Sequence, residues 1–453
     1  MNILNLPGWE VTGHTQTKTD YRIEAVYTPE PTACPECSTL FDRLYRHGKR
    51  EQEIRDLPAH GRRVVIVLTR KRYRCQGCGR TFLQPLPDVD DRAQMTRRLA
   101  EWVGEQSIIR TFTEVANETG LTNVTVRNVF DAYVERLDRE HKFWAPTQLG
   151  IDEVHLLRQP RCVFTDLQGR AIIGVLAKRD KATVTAALQA LHLNEMVEVV
   201  SIDMWRGYLE AAKVALPQAA VVVDKFHVVR MANYAVETVR KDIRKGLEPK
   251  QRVKMMHDRF VLLRREASLK PEQREKLESW SKVYPLLGEA HRLKEDFYAI
   301  WDIPQKADAQ AAYRAWELSI KGTQMTTAYK PLLTAMANWH EHIFAHWDHR
   351  VTNAVTEALN GVAKLIERNG RGYSFEVIRA KLLYYYRHLD RVPKPVSSGR
   401  PGATFTGCPA EPPEGVTALR LGVDIDRLLE TLEAEERVRT GSNLPAGDSQ
   451  PEE

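Results

Sequence analysis

Three short apolar stretches, each delivering an aspartate, constrain this chain most. Gln148 to Leu157 (Gln-Leu-Gly-Ile-Asp-Glu-Val-His-Leu-Leu) reads as a strand with Asp152 and Glu153 at its middle. Val197 to Ile202 is a buried-strand pattern running into Asp203, and Ala219 to Val223 is a second running into Asp224. In an open sheet the carboxyl ends of neighbouring strands converge on one rim, so Asp152, Asp203 and Asp224 are expected within reach of one another. A single strand-end aspartate is ordinarily a turn residue, whereas three on consecutive strands point to a site. Clustered carboxylates repel unless a hard cation lies between them, and Mg2+ (or Mn2+) suits an all-oxygen ligand set.

The elements around these aspartates read in the order strand (148–157), strand (161–167), a turn at Gln168-Gly169, strand (170–176), helix (181–193), strand (197–202), helix (205–215) and strand (219–223). Hairpin strands followed by alternating strand and helix describe a mixed sheet with helices on its faces, the order used by ribonuclease-H-like nucleases.

Four of the six cysteines form two Cys-x-x-Cys pairs, Cys34-Pro-Glu-Cys37 and Cys75-Gln-Gly-Cys78. Two such knuckles predict one tetrahedral four-thiolate Zn2+ site, closed and therefore structural. Cys162 lies in an apolar strand and reads as core; Cys408 lies in a polar tail. Between the knuckles the chain alternates as β-hairpins do, most clearly at Arg63-Val-Val-Ile-Val-Leu-Thr, and Arg43 to Arg80 carries a net charge of +9. Arg70, Lys71, Arg72 and Arg74 sit directly before the second knuckle and are candidate phosphate contacts. The rings of Tyr45 and Tyr73 either stack on bases or cover the small core.

Asp88-Val-Asp-Asp91 reads as a linker into helices over 95–140. Within them, Ala116 and Gly120, with Val115, Leu121, Val126 and Val129 at apolar spacings, fit a helix-turn-helix whose second helix is capped by Thr122 or Asn123. Asn123, Thr125, Arg127 and Asn128 would then face outward, able to enter a major groove.

From about Met231 to Ala345 the pattern is wholly helical and names no chemistry. A solvated bundle is the plain reading, with an oligomerisation or DNA-end-holding role as the alternative. A helix over about 350–368 follows, with Val355, Leu359, Val362 and Ile366 on its apolar face and Asn353, Glu357, Asn360, Lys364 and Arg368 on its polar one. Another helix covers about 374–390, and beyond Pro393 a Pro/Gly/Ser-rich stretch leads to an acidic tail. Residues 401–453 carry −7, leaving +13 for residues 1–400, a balance suited to a polyanionic partner. With no run of 18 apolar residues and no basic-then-apolar amino terminus, the chain reads as cytoplasmic, with no membrane partner.

The knuckles, the helix-turn-helix, Gly150-Ile-Asp-Glu153, Ser201-Ile-Asp-Met-Trp205, Val223-Asp-Lys-Phe-His-Val228 and Asn353-x-x-x-Glu357-x-x-Asn360 come in one order. In that order the chain resembles the ISL-three family of bacterial insertion-sequence transposases, over about residues 30–390. Ala354 and Ala358 depart from the glycines usual at those places. The resemblance implies an Asp-Asp-Glu triad at Asp152, Asp203 and Glu357, with Asp224 and His227 supporting it. It implies two Mg2+ ions bridged by Asp152, one held also by Asp203 and the other by Glu357, and hydrolysis at the element's end followed by attack of the freed 3′-hydroxyl on target DNA. The residues alone imply only a metal-dependent nuclease or polynucleotidyl transferase.

The expected architecture is multidomain α+β. It comprises a zinc ribbon (1–90), a helix-turn-helix (91–145), a ribonuclease-H-like mixed α/β catalytic core (146–230), an all-α insertion (231–345), returning core helices (346–391) and a tail (392–453). The implied partners are double-stranded DNA, as terminal inverted repeats and target, and further copies of the chain assembled on it. Two rivals stand beside this reading. A non-catalytic DNA-binding regulator would be expected to have lost one of Asp152, Asp203 or Glu357, and a cellular nuclease for branched DNA would not need two amino-terminal DNA-binding modules.

Overall fold

In the computed structural model of the chain, residues 4–391 are described, apart from Arg92 and Asp258. The expected tail (392–453), with Cys408, lies outside the described residues. The chain divides into two units, one formed by residues 4–143, 156–159 and 361–391 and one by residues 144–155 and 160–360.

A long hairpin organises the first unit. Strands β3 (Leu44–Ala59) and β4 (Arg62–Cys75) meet at His60-Gly61, both at positive φ (52° and 70°), a two-residue turn whose twist matches that of paired strands. With β1 (Trp9–Gln16), β2 (Asp20–Tyr27), β5 (Thr81–Leu83), β6 (Val89–Asp90) and β7 (Met95–Thr96) they form a sheet in the order β1-β2-β4-β3-β7-β6, with β5 on β4. Ile54, Val64, Ile66 and Leu68 pack there with Trp9, Ile23 and Tyr27. Helices α1 (Arg97–Ile109), α2 (Phe112–Thr119) and α3 (Asn123–Glu140) follow. Buried Asp56 of β3 accepts hydrogen bonds from Thr96 Oγ1 (2.7 Å) and Arg98 Nε (2.8 Å), which ties the hairpin to the start of α1. The stretch expected as a linker at 88–91 is instead built into this sheet: it contains β6, and Asp91 grips the Arg70 guanidinium at 2.6 and 3.0 Å.

In the second unit β8 (Gln148–Leu156), β9 (Gln159–Asp166), β10 (Ala171–Leu176), α4 (Lys181–Gln189), β11 (Val199–Ile202), α5 (Arg206–Ala215) and β12 (Ala220–Val223) follow the expected order. Their sheet runs β10-β9-β8-β11-β12, with β11 parallel to both β8 and β12. The helices α6 (Lys225–Lys245), α7 (Pro249–His257), α8 (Arg259–Leu263), α9 (Pro271–Val283), α10 (Pro285–Ile300), α11 (Lys306–Ile320), α12 (Thr326–Asn338), α13 (His340–Phe344) and α14 (His346–His349) come next. They are not a separate body. Val228, Val229 and Ala232 of α6 belong to one apolar cluster with Ile151 and Ile202 of the sheet and Phe297, Trp316 and Tyr329 of the helices.

The last helices are α15 (Ala354–Asn369) and α16 (Phe375–Arg391). α16, expected to return to the catalytic core, packs instead within the first unit. The buried Lys381 ammonium donates to the carbonyls of Ser107 and of Arg110 (2.8 Å) at the end of α1, where the helix leaves acceptors unsatisfied. It also lies 5.2, 5.6 and 5.2 Å from the ring centres of Phe112, Phe130 and Tyr373.

Close approach fixes one residue of the second sheet. A Cβ on Gly150 would meet Thr356 Oγ1 at 2.7 Å, Leu167 Cδ2 at 2.8 Å and Asn353 Oδ1 at 3.1 Å, so β8 lies against α15 only because position 150 has no side chain. Gly150→Val should therefore destabilise the fold by about 1–3 kcal/mol, the usual cost of overpacking. An unchanged melting temperature would contradict that packing.

Candidate functional site

The register of the parallel strands sets the three aspartates level. Gly150 pairs with Ser201, so the next residues on the same side of the pleat are Asp152 and Asp203. Ile202 pairs with Val223, so Asp203 and Asp224 follow their strands side by side. Adjacent strands lie about 4.8 Å apart, which brings the three into one row.

Helix α15 supplies the remaining side chains. Its polar stripe is turned inward: Asn353, Thr356 and Asn360 are buried and Glu357 is half-buried. Asn360 Nδ2 donates to Asp152 Oδ2 at 2.9 Å, while Asp152 Oδ1 accepts from the Glu153 backbone N–H at 2.7 Å. Asp224, fully buried, takes hydrogen bonds on Oδ1 from the Asn353 backbone N–H (3.1 Å) and Thr352 Oγ1 (3.3 Å). Its other oxygen, Oδ2, is buried without a hydrogen bond and lies 3.5 Å from His227 Nδ1.

Electrostatics join these groups. Burial raises the Asp152 carboxyl to about 6, with Asp203 and Asp224 adding to the shift against His227. Burial also raises Asp203. Burial, then Asp224 and Asp152, push Glu357 up to about 7. Burial opposes a charge on His227, yet Asp224, Asp152 and Asp203 outweigh it and raise the imidazole to about 9. Buried oxygens, mutual repulsion and an Asp224 oxygen that accepts no hydrogen bond fit a hard divalent cation.

The four knuckle cysteines come together in the first unit, their sulfurs all within 4.8 Å, with Cys34–Cys78 at 3.8 Å and Cys37–Cys75 at 3.6 Å. A tetrahedral ion with bonds of about 2.3 Å to sulfur needs edges near 3.8 Å. Among the described residues this is the one group of three or more such ligands so tightly drawn; the carboxylates stand wider. Each knuckle is closed by a backbone hydrogen bond to its first cysteine, from Ser38 and from Gly79.

The basic stretch divides by side. Arg70, expected to meet phosphate, is buried, its guanidinium spent on Asp91, Gln52 and the Gln84 carbonyl. It is a structural arginine. Lys71 is half-buried and paired with Glu30 at 2.7 Å. Arg72 and Arg74 are exposed, and Tyr45, paired across the hairpin with Arg74, is exposed beside them. Tyr73 is core, stacked on Phe82.

The helix-turn-helix forms as expected. Thr111 and Glu114 make a capping box on α2, Gly120 turns the chain at φ 73°, and Thr122 caps α3. Asn123, Arg127 and Asn128 are exposed, whereas Thr125 is half-buried and bonded to Thr122. Val124, not singled out from sequence, stands 69% exposed among them.

Three family profiles match the chain. Residues 30–78 match the zinc-finger of transposase IS204/IS1001/IS1096/IS1165, residues 84–134 the helix-turn-helix domain of transposase family ISL3, and residues 149–382, more than half of the chain, the ISL3 transposase domain. The chain belongs to the ISL3 family of transposases. It is also similar to the transposase for insertion sequence element IS1001 of Bordetella parapertussis, 25% identical over 392 residues, which cover 82% of this chain and 93% of that relative. Among the described residues of this ISL3 transposase no helix is long and apolar enough to cross a membrane.

Asn353 and Asn360 carried no individual role in the sequence, although their spacing about Glu357 marked them. Glu153 was marked in the sequence only as the neighbour of Asp152; its ion pair with Arg179, beside Asp203, was missed, since nothing local joins residues 26 positions apart.

Two outcomes follow from the geometry. Cys75→Ser should remove bound metal, about one zinc per chain, as read by metal analysis; a full complement in that variant would overturn the assignment. In metal-free protein Asp152 and Glu357 bind protons more tightly folded than unfolded, so stability falls as pH rises from about 4 to about 7. Added Mg2+ should therefore raise the melting temperature more at about pH 8 than at about pH 5. Equal shifts at both would contradict it.

Proposed function

We propose that this ISL3 transposase binds the terminal inverted repeats of its own element, and catalyses Mg2+-dependent strand cleavage and strand transfer, acting as an assembly of copies on DNA in the cytoplasm. The observation that carries this is the row of Asp152, Asp203 and Asp224 on adjacent parallel strands, with Glu357 carried on the helix that hydrogen-bonds Asp152. Asp152, Asp203 and Glu357 are the catalytic carboxylates and would hold the metal. Mg2+ (or Mn2+), when bound there, supplies charge that activates the attacking oxygen and stabilises the departing one.

The chain's own groups prepare that chemistry. Asn360 and the Glu153 N–H fix both oxygens of Asp152, so the carboxylate cannot swing away when DNA enters. Asp224, buttressed by Asn353 and Thr352, lies 3.5 Å from His227 Nδ1 and favours the charged imidazole, which limits the repulsion among its neighbours. Whether Asp224 also meets the metal is tested by Asp224→Asn.

Zinc at Cys34, Cys37, Cys75 and Cys78 holds the open end of the β3–β4 hairpin, where Arg72 and Arg74 present charge to the backbone of DNA. Asn123, Arg127 and Asn128 on α3 read base edges, with Val124 placed to touch a thymine methyl group.

Asp152→Asn, Asp203→Asn and Glu357→Gln keep shape and remove charge. Each should lower cleavage of an inverted-repeat duplex by about 1000-fold or more, the scale of losing an essential catalytic group, while binding of that duplex persists. Substantial cleavage by any one of them would remove that residue from the triad, with Asp224 the first replacement.

A further inference from the structure

The row of carboxylates poses a problem for the substrate. A DNA strand is itself anionic, and its phosphates must approach a rim formed by Asp152, Asp203, Asp224 and Glu357. Cations of the protein close to that rim are therefore candidates for holding the strand.

Arg179 is one, but its guanidinium is paired with Glu153 and lies 5.4 Å from the centre of the Trp205 ring. Arg230 differs. It stands on α6 three residues beyond His227, its neighbour on the helix surface. Its Nε is buried without a hydrogen bond, and among the described residues no carboxylate pairs with it. Its guanidinium carbon lies 5.2 Å from the centre of the Tyr234 ring, which is one turn further on and 49% exposed. The charge of Arg230 reaches Glu357, so it belongs to the same neighbourhood.

We propose that Arg230, lying over the Tyr234 ring, binds a backbone phosphate of the DNA strand next to the bond that is cut. A guanidinium donates two parallel hydrogen bonds to a phosphate, and a ring beneath it fixes its plane at little entropic cost. The spacing from Asp224 through His227 and Arg230 to Tyr234 then makes α6 a track leading away from the carboxylates. Arg230 is a positioning residue: it holds the strand and takes no part in bond making or breaking. This rests on the catalytic assignment above.

The test uses the full-length protein and a duplex carrying the inverted repeat that flanks its gene, with single methylphosphonates placed in turn near the cut. Arg230→Ala should slow single-turnover cleavage at saturating protein by about 10- to 100-fold, the loss expected for a charge-assisted hydrogen bond to phosphate, and weaken binding of the duplex by a smaller factor than it slows cleavage. Arg230→Lys should recover part of the rate. At one position the neutral methylphosphonate should slow the wild type and have no further effect on Arg230→Ala. Wild-type cleavage by Arg230→Ala would overturn the proposal. So would methylphosphonate penalties identical in both proteins at every position, including when the variant's Mg2+ dependence has shifted, since Arg230 would then act only on Glu357. Arg230→Gln, closer in shape, guards against misfolding and should behave as the alanine variant does. If Asp203→Asn cleaves normally the catalytic assignment fails; if Asp203→Asn is dead and Arg230→Ala is normal, only this inference fails.

Discussion

Several carboxylates buried at one level of one sheet are the condition to which the second unit answers. Two like charges 4 Å apart repel by about 4 kcal/mol at an effective dielectric of about 20. A typical domain is stable by only about 5–15 kcal/mol. A row of Asp152, Asp203 and Asp224 with Glu357 nearby is therefore tolerable only with protons, cations or hydrogen-bond donors aimed at it. The structure supplies donors from α15, a cationic imidazole from α6 and raised carboxyl pKa values.

That condition also explains the connectivity. Parallel pairing of β8, β11 and β12 aligns the aspartates without any long side chain having to reach. The return of the chain through α15 brings Asn353, Glu357 and Asn360 from the far side of more than a hundred residues of helices. Those helices share their apolar core with the sheet, through the buried side of α6. The intervening chain thus stiffens the helix that carries His227 and Arg230.

Much of this was legible in sequence because the signals were local. Strand periods, the Asp at each strand end, the paired Cys-x-x-Cys knuckles and the Thr-capped second helix of the helix-turn-helix each occupy a few residues. What sequence could not give was the partner of a charged group. In Arg70-Lys-Arg-Tyr-Arg74 every basic residue looks alike, yet Arg70 is sealed by Asp91, 21 residues on, while Arg72 and Arg74 stay exposed. Lys381 likewise reads as an ordinary helix lysine and turns out to close the end of α1. Burial of the polar face of α15 is not legible locally either: Asn353, Thr356 and Asn360 are buried, and Asn360 donates to Asp152, more than two hundred residues earlier.

The central claim is that Asp152, Asp203 and Glu357 are held apart by protein so that a divalent cation can join them. The most direct measurement is the anomalous scattering of Mn2+ in crystals of the full chain grown with that ion. The account predicts manganese bonded to a carboxylate oxygen of Asp152 and to Asp203 or Glu357, and its loss in Asp152→Asn crystals. Manganese absent from these carboxylates, in crystals whose cysteine site is filled with zinc, would contradict it.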